Sequence, residues 1–561
     1  MRVPMLLAGL LLATTPLAAQ PARDEPQFSA AEVRKHVTFL ADDRLEGRDA
    51  GTPGHEAAAR YVAMQFAGLG LEPGGPDKSW FQQVSLAEYG LDARHPASLH
   101  IGARSFANGT DVLIAPSPRF GTGAQIVAGE TVFVGYGLEA SDLGYDDYAG
   151  LDLRGKFAVM LLGTPKGLPA PVAARMNKDR GVIAAKHGAI GILYIVAPDE
   201  ERQWRYASDT LLGDTTKWLS PEGFPEGLDP GVRIGAYLDE AAAKALFAGS
   251  GTRVAQLFAA AAVPKAKIKG FALKQRATLT RTSKVKAYRS PNVIGVLRGS
   301  DPALADQYVV LSAHLDHVGV DPHLPGDKIH NGAMDNAAGV ATMLEAARAF
   351  AQSKDRPKRS ILFVALTAEE DGLLGSSYLA QHPVTGSGRL VADVNLDMPI
   401  LLYDFQDVIA FGGEHSTMGE IVARAGAWMG VSVSPDPMPE EQFFVRSDHY
   451  NFVKAGVPSI FLMTGFANGG EKAFRDFLAN NYHQPSDQLD LPFNWEAGAK
   501  FARLNYWIAR EVADAPEPPH WYQGDEFGDR FAPGQSRAPR RQPGNSASSL
   551  VLHNSNTTSR P

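Results

Sequence analysis

Ile361-Leu362-Phe363-Val364-Ala365-Leu366-Thr367-Ala368-Glu369-Glu370 is the stretch whose reading decides the fold. The apolar run reads as a strand, and two adjacent carboxylates stand at its end. Like charges buried side by side there are costly unless a cation or a proton compensates them. The stretch therefore predicts a strand end that serves a chemical site.

Outward from this run, strands and helices alternate between Asn292 and about Asp514. The predicted strands cover 293–298, 308–312, 361–366, 391–396, 408–411 and 459–463, and the predicted helices 336–352, 376–380, 417–427 and 495–512. Such alternation predicts the α/β class: a mixed, mostly parallel sheet sandwiched by helices. Ligands of such sheets bind outside the carboxyl ends of the strands. His314, Asp335, Asp397 and His483 fall at such ends or in the loops beyond them, as Glu369 and Glu370 do.

Each of these residues has an ordinary reading when taken alone. His314 can be a polar core residue, Asp335 a helix N-cap, and Asp397 a turn residue after its strand. His483 sits in Asn481-Tyr482-His483-Gln484-Pro485-Ser486-Asp487, which reads as a constrained loop. Taken together, two histidines and three carboxylates supply a bridging Asp plus two terminal ligands for each of two ions. That count fits a pair of zinc ions, with one glutamate left over as general base toward a metal-polarised water. Cobalt or manganese could occupy the same ligands.

The rest of the chain bounds the organisation. With 561 residues, 44% of them hydrophobic, there is chain enough for more than one domain. The net charge of -8, without a dense basic run before the C-terminal tail, argues against nucleic acid as the main partner. Residues 1–19 read as a signal peptide: Arg2, an apolar run at 6–13, then small residues ending at Ala19. That predicts export to a periplasm or the cell exterior with no stable membrane anchor. The absence of cysteine excludes disulfides and thiolate-held metals. Residues 30–71 read as covering helices interrupted at 47–54. Residues 124–263 contain short strands and no cluster of ligand-type residues, and read as an inserted β-rich domain. The segment 516–561, rich in Pro, Gly, Ser, Asn and Arg, reads as a disordered tail.

His314-x-Asp316, Gly332-x-x-Asp335-Asn336, Glu369-Glu370, Asn395-x-Asp397 and Tyr482-His483-x-Pro485-x-Asp487 occur in this order. In that order they resemble the co-catalytic zinc exopeptidases typified by bacterial leucyl aminopeptidase. The resemblance covers 28–115 and 265–514 as one discontinuous peptidase domain, with 124–263 similar to the protease-associated domain inserted in such proteins. It implies two zinc ions per chain. His314 and Asp397 would hold one, Glu370 and His483 the other, and Asp335 would bridge them. It further implies that Glu369 is the general acid/base, that the Asp316 carboxylate orients His314, and that the Asp335–Asn336 peptide bond is cis. Met334 departs from the resemblance, because relatives often carry an acidic residue there. Arg446-Ser447-Asp448-His449-Tyr450 falls where relatives place pocket residues, although Ser447 or Asp448 could equally cap a helix.

The activity so implied is that of an exported metallo-aminopeptidase acting on peptide or protein N-termini. A carboxypeptidase of the same fold would need cations for the free carboxylate, and Arg446 is the one basic residue in the candidate pocket stretch. A cyclising transferase of this architecture would use a single zinc. A receptor-like homologue would lack the base or some ligands, and here none is missing.

Overall fold

A computed structural model describes residues 25–540 apart from 118–122, 169, 198–203, 205–207, 209–210, 228–230 and 442. The signal peptide predicted at 1–19 lies outside the described residues.

The run that opened the sequence reading forms the strand Ser360–Leu366, every residue of it buried. Its alternation explains why. Ile361, Phe363 and Ala365 face one apolar core, and Leu362, Val364 and Leu366 face another. A strand covered on both faces has no polar side, so it reads as an unbroken apolar run. Gln307–His314 pairs parallel with it and, on its other edge, parallel with Arg389–Leu396. Ser459–Thr464 continues the parallel order beyond Arg389–Leu396. Antiparallel strands complete both flanks: Asp407–Phe411 on one side, and the far half of Phe271–Leu297 with Phe81–Leu91 on the other. The result is the expected mixed sheet with a parallel heart.

Helices Ala30–Leu40, Gly339–Gln352 and Trp495–Asp514 pack on one face of this sheet. On the other face lie Leu379 of the helix Leu374–Gln381 and Phe452 of the helix His449–Lys454. The helix predicted from 336 begins at Gly339, because residues 333–338 form a wider turn with non-helical backbone at Asp335 and Asn336.

A second sheet has its own buried clusters. It contains Ala124–Phe133, Phe157–Leu161, Gly191–Ile195 and Ile234–Leu238. It also takes in Ser98–Ile101, Val112–Ile114 and the near half of Phe271–Leu297, which lie outside 124–263. The strand Phe271–Leu297 therefore runs through both sheets. Thr215–Trp218 returns from the second unit to pair with Phe81–Leu91. There Trp218 donates to Ser377 Oγ at 3.1 Å and meets the rings of Tyr378 and His382.

The tail expectation needs correction for 516–540. This segment carries Trp521–Tyr522 and the helix Glu526–Phe531, with Trp521 buried. Aromatic anchors spaced along a polar stretch supply an apolar core that average composition conceals. Residues 541–561 lie outside the described residues. Among the described residues no helix is long and apolar enough to cross a membrane.

Candidate metal centre and cavity

The parallel strands end level with one another, which brings their C-terminal residues to one edge. His314 closes its strand opposite Leu366, and Asp397 follows Leu396 on the strand paired along its other edge. His314 Nε2 lies 3.1 Å from Asp397 Oδ1 and 3.1 Å from Asp335 Oδ1. The other oxygen of Asp335 faces His483 Nε2 at 3.3 Å, and Glu370 Oε2 faces the same nitrogen at 3.0 Å. All five predicted ligands thus converge, with Asp335 in the middle presenting one oxygen to each histidine.

The donor set fits zinc. Imidazole nitrogens and carboxylate oxygens each bind Zn²⁺ at roughly 2.0–2.2 Å, so ligand atoms sharing an ion sit a little over 3 Å apart. Three ligand atoms, from His314, Asp335 and Glu370, lie within 4.8 Å of one another. His483 Nε2 is buried and makes no hydrogen bond, although two carboxylate oxygens are this close. A buried nitrogen facing carboxylates without hydrogen-bond geometry is suited to a shared cation.

The electrostatics show the same mutual dependence. Burial would lower His483, but the Asp335 and Glu370 carboxylates raise it to about 10. Burial likewise opposes the charged form of His314, and Asp397 and Glu369 push it well above the usual imidazole range. Asp335, which burial would raise, is held well below the carboxylate range by His314 and His483. Glu369 goes the other way. Burial, reinforced by Glu370 and Asp397, outweighs the attraction of His314 and drives its carboxyl well up. Glu369 lines the cavity, and its remaining exposure is only partial.

The surrounding groups hold this arrangement. The peptide bond between Asp335 and Asn336 is cis. Asn336 accepts from the amides of Gly339 and Met398 and donates to Leu396 O, tying the bridging aspartate to the strand that carries Asp397. Asp487, buried, accepts from the amides of Met334 and Asp335 at 2.8 and 3.0 Å. Arg48, fully buried, donates to the carbonyls of Leu315, Asn331 and Gly332. Met334 is buried, and its sulfur accepts from the Leu401 amide.

Asp316 needs a correction. Its carboxylate does not meet His314; it accepts from the amides of Glu369 and Glu370 at 3.1 and 3.2 Å. His314 Nδ1 instead lies 3.2 Å from the main-chain oxygen of Asp316. The strand ends at His314, and the loop that follows turns the Asp316 carboxylate away from the ring and toward the neighbouring strand end. Asp316 thus positions the glutamate pair. Sequence reasoning also missed His317, buried with Nδ1 2.7 Å from Glu370 Oε1. Its one signal was the repeat of histidine three residues after His314.

A cavity of about 230 Å³ opens beside the centre. His314, Asp335, Glu369 and Asp397 line one part of it, and Met398, Phe443, Phe461, Met463 and Leu478 line an apolar part. Arg446 and Ser447 also line it. Ser447 donates to Asp397 Oδ2 and accepts from Asn395 Nδ2 at 2.6 Å, so its role is in the site. Asp448 precedes the helix His449–Lys454 but makes no capping bond. Arg446 is half-exposed and paired with Glu441 at 3.4 Å.

Converging imidazoles and carboxylates on the strand ends of an α/β sheet, beside a cavity that a spare glutamate lines, define a metallohydrolase centre. Residues 292–508 match the model of Peptidase family M28. It is 43% identical over 107 residues to a probable zinc metalloprotease of Pyrenophora teres f. teres, a match covering 19% of this chain and 22% of that protein. It is 30% identical over 181 residues to a probable leucine aminopeptidase 2 of Aspergillus oryzae, covering 31% and 33%. The matches thus span a third or less of those relatives' length. Among solved structures, an aminopeptidase from Aneurinibacillus sp. strain AM-1 aligns over 92% of this chain and 98% of its own, with TM-score 0.48 and 21% identity.

Proposed function

We propose that the protein is a zinc metallo-aminopeptidase that removes N-terminal residues from peptides. His314 and Asp397 would hold one ion, Glu370 and His483 a second, and Asp335 both. Zinc bound there supplies Lewis-acid polarisation of a water and of the scissile carbonyl. Glu369 takes a proton from the attacking water and delivers it to the leaving amine. Asp316 keeps that carboxylate in place through the amides of Glu369 and Glu370.

The observation that carries the aminopeptidase reading is the charge of the cavity. Among the described residues no lysine lines it, and its one arginine, Arg446, is already paired with Glu441. Such walls suit a substrate ammonium better than a free carboxylate. The name of the Aspergillus oryzae relative agrees with this reading. We further read the second sheet as a protease-associated domain, and residues 1–19 as a leader that exports the protein.

Incubation of the zinc-loaded protein with a short peptide and its N-acetylated form, read by mass, tests the reading. Single residues should leave the amino terminus of the free form only. Loss from the carboxyl end of both forms would move the assignment to a carboxypeptidase.

A further inference from the structure

Residues 516–540 lie beyond the segment that matches the family model, yet they fold against the wall of the cavity. Trp521 is 1% exposed, and its indole N–H donates to Gly456 O at 3.1 Å. Gln535 Nε2 donates to the same carbonyl at 3.0 Å. Val453, Trp521 and Ala532 form a small buried core, with Phe444, Tyr450, Phe527 and Phe531 packed at its margin. Asp525, also buried, accepts from the amides of Phe527 and Gly528 and caps the helix Glu526–Phe531. Its second oxygen meets His415 Nδ1 at 2.8 Å and Arg540 at 3.1 Å.

Phe444 is where this core meets the cavity wall. Its chain neighbours Phe443, Arg446 and Ser447 line the cavity, and Ser447 bonds the Asp397 carboxylate. Phe444 packs instead among the rings of His415, Phe527, His449 and Tyr450, with centroids 4.8, 5.0, 5.3 and 5.7 Å away. The short turn Phe443–Val445 therefore carries a cavity residue on one side and a residue of the C-terminal core on the other. Short turns have few backbone bonds of their own, so their position depends on such packing.

We propose that residues 516–540 are a positioning clamp for the substrate pocket, acting through Phe527 on Phe444. The clamp touches neither substrate nor metal ligand. It fixes Phe443, Arg446 and Ser447 where they bound the cavity, so it governs substrate binding more than the proton transfers at Glu369. Its consequence for kinetics rests on the aminopeptidase reading, whereas its geometry does not.

The test uses the full-length, zinc-loaded protein with Phe527→Ala, Phe527→Leu and, as a stability-matched control, Val512→Ala in the helix Trp495–Asp514. Two readouts are taken: hydrogen exchange of the 443–450 amides, and KM and kcat on a free-amino peptide. Phe527→Ala should speed exchange across 443–450 by about tenfold and leave 307–314 unchanged. KM should rise about tenfold with kcat within about threefold, since a displaced binding wall costs affinity before chemistry. Phe527→Leu should recover most of both effects, and Val512→Ala should leave KM unaltered. Wild-type KM and exchange in Phe527→Ala, or an equal KM rise in Val512→Ala, would overturn the clamp. If the wild-type protein does not cleave free-amino peptides, the aminopeptidase reading falls. Exchange then decides the clamp alone: acceleration supports it and wild-type rates overturn it.

Discussion

Replacing Asp487 by alanine should damage the metal centre without touching a ligand. Its carboxylate accepts from the amides of Met334 and Asp335 at 2.8 and 3.0 Å in a fully buried position. Alanine leaves both N–H groups without a partner. An unsatisfied buried donor costs about 1–3 kcal/mol, so the two together predict a loss of about 2–6 kcal/mol. The amides belong to the turn that carries the bridging Asp335, so the loss falls on the ligand both ions would share. Outer partners of ligands typically contribute 10–100-fold to metal affinity. Asp487→Asn keeps one acceptor but sets an amide N–H₂ against a backbone N–H, and should lose about half as much. Urea unfolding of the metal-free protein measures the stability, and competition with a chromophoric chelator measures the zinc affinity. If Asp487→Ala left zinc affinity at the wild-type value, Asp487 would not be supporting the bridge, whatever happened to stability.

Two further perturbations follow from the packing and the charges. Trp218→Ala should cost about 3–5 kcal/mol for a large buried aromatic and open the junction of the two sheets, read by urea unfolding and by faster proteolysis near 215–218. His36, held neutral by burial and facing Tyr61 Oη at 2.7 Å, is lowered from 6.5 to about 4. Below about 6.5 the unfolded chain takes up a proton that the folded chain refuses, so stability falls on acidification until the folded value is reached. Between pH 7 and pH 5 the wild-type protein should therefore lose about 2 kcal/mol more than His36→Gln; equal losses would contradict a neutral buried His36.

The sequence made the sheet legible because strands covered on both faces are written as apolar runs, and 361–366 is the clearest case. Its ends were legible only jointly: His314, Asp335 and Asp397 each have an ordinary reading alone, but imidazoles and carboxylates recurring at one strand end after another, with the Glu369-Glu370 pair among them, do not. What could not be read depends on where a side chain turns after the strand stops. Asp316 stands two residues beyond His314, and only the loop geometry decides that its carboxylate meets the amides of Glu369 and Glu370. Asp487 and Arg48 act on backbone groups far away in the chain, and no local pattern announces that. The second sheet recruits strands from both sides of 124–263, because the strand Phe271–Leu297 is long enough to serve two sheets. In 516–540 the polar composition hid Trp521 and Phe527, whose spacing matches no simple period.

The central claim is that five side chains hold zinc while Glu369 moves protons, and Glu369→Gln separates the two roles most directly. Glutamine preserves the size of the side chain and the backbone amide bonded to Asp316, but it accepts no proton from water. Zinc content per chain and hydrolysis of a free-amino peptide should be measured on the same preparation. The account predicts two zinc ions in both proteins and a kcat lowered about 10²–10⁴-fold, the range of general acid–base catalysis. Undiminished hydrolysis, or loss of zinc together with activity, would contradict it.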